Sequence, residues 1–387
     1  MSQRNMSTTR IIAVCQMTSV ADKAANMEVV SDLISRAAKD NAQMIFFPEA
    51  CDYIADNKKD VVAMAEPILE GPTVTKYREL AAEHKVWLSM GGVHEKKMFN
   101  THIIIDDKGD IVQTYRKLHL FDVEIPEKNV RLKESDFTHF GSNIVCPVDT
   151  PIGRIGMAIC YDMRFPELST ALSILRAEVL TYPSAFTKAT GEAHWHTLLR
   201  ARAIENQCYV VAAAQVGKHN AKRQSYGHGL CVDPWGVVVA DCGQESPSYR
   251  TAELKEQKLL DVRRNMPVFN HRRPALQIYH QDDDNDNDND DDDRCVIPGH
   301  VLVAPLRAAE RNEDLSDEEA EDFFRSIRIV QKLMETVHST NSCTVTIQDG
   351  ADAGQTVKHL HCHVMPRKRG DFIDNDLIYL ELAKHDQ

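Results

Sequence analysis

The sequence predicts an α/β domain followed by a smaller α+β domain. Three observations carry this expectation. The chain has 387 residues, more than one ordinary hydrophobic core organises, so two domains are the starting expectation. Apolar runs of strand length alternate with amphipathic helical patterns to about residue 240, the rhythm of α/β layers. An Asp/Asn tract then interrupts that rhythm, and a new strand–helix–strand pattern follows it. The boundaries read as 9–275 for the first domain, 276–293 for a linker and 294–387 for the second.

The first domain begins with Ile11–Met17, an apolar strand. Asn26 reads as the cap of a helix that carries Val29, Val30, Leu33, Ile34, Ala37 and Ala38 on one face. Met44–Phe47 is the next strand, halted by Pro48. Val74–His84 reads as helix, and Val86–Met90 as a strand closed by Gly91-Gly92. Asn100–Lys117 has the pattern of a hairpin turning at Asp107-Lys108-Gly109. Ile155–Cys160 is again apolar strand, and Leu168, Ala171, Leu172 and Leu175 mark a helix. Val179–Pro183 reads as strand, Leu198–Asn206 as helix and Cys208–Gln215 as a β-rich run.

Residues 281–293 hold nine Asp and no basic residue. Such a tract has nothing apolar to bury and repels itself, so it predicts an extended, disordered linker. It lacks the turn glycine and closing Glu of an EF-hand calcium loop. Beyond it, Val301–Ala304 reads as strand. Ser316 and Glu319 form a capping-box pattern before Ala320, Phe323, Phe324, Ile327, Val330, Leu333 and Val337. That spacing predicts an amphipathic helix of about six turns. Thr344–Gln348 and His359–Met365 read as strands around a Gly-bearing turn.

Composition narrows the function classes. The tract supplies nine of the thirteen net negative charges, so the rest of the chain is only mildly acidic. No basic patch suited to a nucleic-acid polymer stands out. Ten cysteines without regular spacing fit a reducing compartment better than a disulfide framework. No apolar run is long enough to cross a membrane. The expected location is cytoplasmic. The polar, acid-free start MSQRNMSTTR leaves a short mitochondrial presequence as the alternative.

Three reactive side chains fall at the ends of predicted strands: Glu49 after Phe46-Phe47-Pro48, Lys117 in YRKLHLF (115–121), and Cys160 in GMAICYDMRFPEL (156–168). Taken singly, each has a plainer reading as a buried Cys, a surface Glu and a solvated Lys. Together they suit acyl chemistry. A nucleophile at a strand-to-helix turn is exposed beside backbone N–H groups. A carboxylate can take the thiol proton, and an ammonium can steady an oxyanion. These segments, with FPEA (47–50), YPSAF (182–186), HWHTLLRARAIEN (194–206) and DPWG (233–236), make residues 9–275 resemble the carbon–nitrogen hydrolase (nitrilase) superfamily. VRRNMPVFNHRRP (262–274) resembles its Nit branch. The resemblance implies an α-β-β-α sandwich. It also implies Glu49 as base, Lys117 as oxyanion stabiliser, Cys160 as nucleophile, and Glu134 as a second, supporting glutamate. A small linear amide, such as the ω-amide of a 2-oxo acid or deaminated glutathione, is the implied substrate, and no cofactor is required.

The second constellation is His359, His361 and His363, on alternate residues of a predicted strand and hence on one face. A polar strand face, a metal site and nucleotide chemistry are all open readings of that pattern. Against a metal site, no carboxylate or Cys cluster completes the set, so no metal ligands are assigned. Gly354-Gln355-Thr356 lies just upstream, where a turn can offer N–H groups to phosphate. PGHVLV (298–303), QDGADAGQTVKHLHCHVMPR (348–367), GDF (370–372) and Tyr379 resemble the histidine-triad superfamily, and its Fhit-like branch in particular. The resemblance implies His361 as the nucleophile, with His363 and His359 as its partners. Gln348, Gly354, Gln355, Thr356 and Val357 would contact nucleotide. The implied substrate is a dinucleoside polyphosphate, diadenosine triphosphate (Ap3A), accompanied by Mg²⁺ or Mn²⁺. Fhit-like domains begin with strands ahead of the PGHVLV segment, and the Asp/Asn tract stands in that place here. An Asp-rich run cannot replace apolar strands. The whole chain resembles the family in which a Nit domain precedes an Fhit-like domain, and that resemblance implies a homotetramer.

Overall fold

The computed structural model describes residues 10–271 and 297–382, apart from 97, 126–129, 298–299, 306, 308, 356, 373, 376 and 380–381. The Asp/Asn tract and Thr356 lie outside the described residues. The chain divides into two compact units, Met1–Leu276 and Gln277–Gln387.

The first unit opens with β1 (Arg10–Met17), α1 (Lys23–Lys39), β2 (Met44–Phe47), α2 (Lys58–Met64), α3 (Pro72–His84), β3 (Trp87–Glu95), β4 (Phe99–Ile105) and β5 (Ile111–Arg116). A small hairpin follows, β6 (Asp122–Ile125) with β7 (Val130–Lys133). Next come β8 (Val148–Thr150), β9 (Gly153–Met157), α4 (Pro166–Ile174), β10 (Val179–Thr181) and α5 (Lys188–Asn206). The unit closes with β11 (Tyr209–Ala212), β12 (Ala214–Lys218), β13 (Gln224–Tyr226), β14 (Leu230–Val232), β15 (Val238–Asp241), β16 (Ser248–Leu254), α6 (Glu256–Asn265) and α7 (Val268–His271).

Among the described residues these strands form two large sheets. One runs β13-β12-β1-β2-β3-β4-β5, with β16 also paired to β1; the other runs β15-β14-β11-β10-β9-β8. The period-two alternation of strands sorts the first sheet into two faces. Ile12, Val14, Met44, Phe46 and Ile104 pack into the core shared with Ile155, Met157, Val179 and Val210 of the second sheet. Ala13, Cys15, Met17, Ile45, Phe47 and Ile103 face the other way, onto Val30, Leu33 and Ile34 of α1 and Val74, Tyr77 and Leu80 of α3. On the second sheet, α4 and α5 add Leu168, Leu172, Trp195 and Leu199 to the core. The result is the α-β-β-α sandwich. Each fully buried Leu, Ile or Val on α1 contributes about 1.5–3 kcal/mol, which holds the helix to the sheet.

Several sequence expectations change. Asp22, not Asn26, caps α1: its carboxylate accepts from the N–H groups of Ala24 and Ala25 at 2.9 and 3.1 Å. Asn26 lies inside the helix. It donates to the carbonyls of Val20 and Asp52 and accepts from Val20 N, tying the chain on either side of β2. β3 does not stop at Gly91-Gly92 but runs through them, with an irregular register between Met90 and Val93. α5 starts at Lys188 rather than Leu198, and α2 had no counterpart in the sequence reading. The β-rich run 208–215 is divided between sheets: β11 belongs to one and β12 to the other. The strand expected to end at Cys160 ends at Met157, and Cys160 opens a 3-10 turn, Cys160–Arg164.

The second unit contains β17 (Val301–Val303), α8 (Asp317–Val337), β18 (Cys343–Ile347) and β19 (Cys362–Pro366). Its described strands make an antiparallel sheet in the order β17-β19-β18. The capping box is formed: Ser316 Oγ accepts from Glu319 N at 3.2 Å, and Glu319 Oε2 accepts from Ser316 N at 2.9 Å. Phe323 and Ile327 of α8 pack on Leu360, Cys362 and Val364. Met365 points into a separate cluster with Ile297, Ile378 and Leu382. The expected strand His359–Met365 begins only at Cys362. Ahead of it, Leu360 N donates to the carbonyl of Ala309 at 2.7 Å, a loop partner rather than a sheet partner. No helix among the described residues is long and apolar enough to cross a membrane.

Candidate active sites

In the first unit, strand ends and the segments after them bring Glu49, Lys117, Glu134 and Cys160 together. Glu49 follows β2, Lys117 follows β5, Glu134 follows β7 and Cys160 follows β9. Lys117 Nζ donates to Glu49 Oε1 at 2.9 Å and to Glu134 Oε2 at 2.8 Å. Glu49 and Lys117 are buried, at 6% and 1% exposure, so neither charge is answered by bulk water. Burial disfavours the Glu49 anion, but Lys117 and the amide of Asn100 overcome this and hold its pKa below the ordinary range. Burial likewise disfavours the Lys117 cation, and Glu134 and Glu49 outweigh it, keeping the ammonium charged. Burial raises the Cys160 thiol, the Glu49 charge raises it further, and Lys117 acts in the opposite sense. The resting sulfur is therefore a thiol beside a carboxylate able to take its proton.

The backbone is shaped to hold this arrangement. Cys160 has φ +45°, in the left-handed region, a conformation that costs an ordinary residue about 1–2 kcal/mol. Its N–H donates to the carbonyl of Pro183 at 3.0 Å, which fixes the turn. Gly92 has φ +62°, and a Cβ there would stand 2.7 Å from both Asn100 Oδ1 and Glu49 Cγ. Only glycine lets β3 pass this close to the carboxylate.

Sequence reasoning missed two residues here. Asn100 donates from Nδ2 to Glu49 Oε1 at 2.8 Å and to Glu134 Oε1 at 3.1 Å, clamping the two glutamates. Its signal was the first of three polar residues, Asn100-Thr101-His102, ahead of the apolar run Ile103–Ile105 in β4. Asp162, two residues after Cys160, is fully buried. It accepts from Ile159 N at 2.9 Å, Tyr115 Oη at 2.8 Å and His119 N at 3.0 Å. It thus ties the cysteine turn to the segment bearing Lys117. The backbone N–H of Ala185 donates to Glu49 Oε2 at 2.9 Å, a further hold on the carboxylate.

In the second unit His359 and His361 precede β19 and His363 lies within it. His361 and His363 are buried, with ring centroids 4.9 Å apart. His361 Nδ1 is 2.8 Å from the carbonyl of His359. A carbonyl only accepts, so Nδ1 carries a proton, and in the neutral ring the lone pair is on Nε2. His359 Nε2 likewise donates to the carbonyl of Pro305 at 2.9 Å. His300 stacks on His363, with Nε2 to Nδ1 at 2.9 Å, and was not assigned from sequence. Gly354 has φ +88° and passes close to Gln348, whose Nε2 would be 2.6 Å from a Cβ there. Gln355 is tied into the turn by three hydrogen bonds. Its amide donates to the carbonyls of Glu310 and Val357 and accepts from Gly350 N, so it braces the turn. Val357 is exposed.

The comparisons agree with both halves. The family model described as "Carbon-nitrogen hydrolase" matches residues 11–264, and the one described as "HIT domain" matches residues 291–370. The "Nitrilase and fragile histidine triad fusion protein NitFhit" of Drosophila melanogaster is 46% identical over 408 aligned positions, covering 98% of this chain and 88% of that protein. Human "Deaminated glutathione amidase" is 50% identical over 274 positions, covering 69% of this chain and 83% of its own. The crystal structure of the Caenorhabditis elegans NitFhit protein superposes with a TM-score of 0.68 at 44% identity, covering 98% of this chain and 100% of that one. With both family models matched in order and the likeness running the length of the polypeptide, the chain belongs to the NitFhit family, a carbon–nitrogen hydrolase domain fused to a histidine-triad domain.

Proposed function

We propose that the chain is a bifunctional hydrolase, an amidase in its first unit and an Ap3A hydrolase in its second. The observation that carries the amidase reading is the buried cluster of Glu49, Lys117 and Glu134 beside the Cys160 thiol. Glu49 takes the thiol proton as Cys160 Sγ attacks the amide carbonyl. Lys117 holds the oxyanion that forms. The C–N bond breaks, the leaving ammonia or amine takes the proton from Glu49, and an acyl thioester remains. Glu49 then activates water to release the acid. Glu134 and Asn100 hold Lys117 and Glu49 in register. The deaminated glutathione amidases at up to 50% identity favour a small ω-amide of a 2-oxo acid, with deaminated glutathione as the first candidate. Cys160→Ala should abolish hydrolysis of that amide while the far-ultraviolet circular dichroism stays unchanged. Retained turnover would overturn the assignment.

For the second unit, the protonated Nδ1 of His361 is what favours nucleotide chemistry. His361 Nε2 attacks the α-phosphorus of Ap3A, ADP leaves, and water frees AMP from the nucleotidyl-histidine. His363 and His359 orient it. Gln348, Gly354, Gln355, Thr356 and Val357 contribute nucleotide contacts, and Mg²⁺ or Mn²⁺ enters with the substrate. A second reading, an impaired nucleotide-binding sensor or scaffold, has its own support. The Drosophila alignment spans 408 positions, more than the 387 residues of this chain, so that relative holds residues without a counterpart here. Equal yields of AMP and ADP from Ap3A and Mg²⁺, lost in His361→Asn, would establish the enzyme. Binding without turnover would establish the sensor. We place the protein in the cytoplasm as a homotetramer acting on these two small molecules. Sedimentation as a monomer would contradict the assembly.

A further inference from the structure

Outside the amidase cluster, the first unit gathers a second set of chemically capable side chains. His196 comes from α5, His228 from the link between β13 and β14, and Asp241 from the end of β15. One donor atom from each lies within 4.8 Å of the others. His228 Nδ1 is 3.1 Å from Asp241 Oδ2, and His196 Nε2 is 3.5 Å from the same oxygen.

The surroundings fix these donors. Asp241 Oδ1 accepts from Gly243 N at 2.7 Å and also lies 3.0 Å from His228 Nδ1, so the carboxylate straddles that nitrogen while its Oδ2 reaches His196. His228 has φ +58°, a costly conformation for a non-glycine residue. It is held at both ends, its N–H donating to the carbonyl of Gly243 at 2.8 Å and its own carbonyl accepting from Trp195 Nε1 at 2.8 Å. Its ring stacks on Tyr226, with centroids 4.8 Å apart. All three donors are partly exposed, so an ion can reach them.

We propose that His196, His228 and Asp241 form a binding site for a borderline divalent transition cation, Zn²⁺ foremost. Zn–N and Zn–O bonds of about 2.0–2.2 Å at tetrahedral angles set donor atoms about 3.4 Å apart. The separations to Oδ2, 3.1 and 3.5 Å, bracket that value, and the two ring nitrogens lie within 4.8 Å of each other. Two imidazoles and one carboxylate suit Zn²⁺ or Co²⁺ rather than Ca²⁺ or Mg²⁺, which prefer oxygen. Without metal, the His228 Nδ1 proton lies on its bond to Asp241, since a carboxylate only accepts. Binding releases that proton to solvent and puts the cation in its place. Water completes the coordination. The ion would clamp α5 to the β13–β14 link and to β15, elements that carry none of Glu49, Lys117, Glu134 and Cys160.

The test uses the full chain stripped with a chelator and titrated with Co²⁺, which reports its ligands optically. The expected result is one tightly bound Co²⁺ per chain, displaced by Zn²⁺, with a visible spectrum of nitrogen and oxygen ligation and no thiolate charge-transfer band. Asp241→Asn and His196→Gln should each weaken Co²⁺ by roughly tenfold or more. His196 lies on a part-exposed helix surface, so its replacement does not threaten folding, and metal-free melting curves check both variants. His228→Asn, which tolerates the left-handed backbone, should do the same. Unchanged affinity in the His196 and Asp241 variants would put any bound metal elsewhere, and no binding by the parent chain would dismiss the site. Either result overturns the proposal.

Discussion

Lys117 is the residue whose removal tells most about the amidase site. It is buried between Glu49 and Glu134, so taking it away leaves two carboxylates without their cation. Breaking a buried pair in this way costs about 3–5 kcal/mol. Lys117→Met should therefore unfold at a markedly lower denaturant midpoint, as well as losing activity. Glu49→Gln keeps the shape and the Asn100 contact but removes the base. Its kcat should fall by about 10²- to 10⁴-fold. The same variant tests the pH dependence of stability. Glu49 has a folded pKa below its unfolded value, which is about 4.3. Its contribution is then full above that value and is lost as pH falls through the folded one. The melting-temperature gap between parent and Glu49→Gln should be constant near neutrality and narrow below about pH 4. A gap that widens in acid would refute the ionised assignment.

At the scale of elements, β3 and α8 make the clearest predictions. β3 reaches the active site only because Gly92 combines φ +62° with no side chain. Gly92→Ala would push Glu49 or Asn100 aside. A misplacement of about 1 Å at a reacting group costs about 10²-fold in rate, so kcat should drop by that order while the fold survives. A steady-state assay beside a melting curve separates the two effects. α8 is started by the Ser316–Glu319 box. Ser316→Ala should cost about 1 kcal/mol, read as a shift in the unfolding transition of the second unit. The helix itself was legible because the cap and the apolar spacing agree. The extent of α5 was not: Lys188–Ala193 carries few apolar residues, and its place was set by packing rather than by periodicity.

For the molecule as a whole, the two compact units predict cleavage between them. An Asp-directed protease should cut first within 282–293, where the nine Asp of the tract lie. A stable amidase-sized fragment is the expected product, seen by mass spectrometry. Initial cleavage inside 10–271 would contradict the division. Retention of amidase activity by that fragment would show that the two chemistries are carried separately.

The sequence by itself determined the family, the order of the two domains and the reactive residue types. Those depend on local patterns: apolar alternation within each strand, the FPEA, YRKLHLF and CYDMRFPEL segments, and histidines on alternate residues. The tertiary structure decided what depends on contacts distant in sequence. It divided the run 208–215 between two sheets, since a strand's neighbours are chosen by the core it can help bury. It stopped the histidine strand short at Cys362, because Leu360 found its backbone partner at Ala309. It recruited Asn100 and Asp162, whose worth lies in bonds to residues far along the chain. It also put His196, His228 and Asp241 within reach of one ion, from three segments that no spacing rule connects.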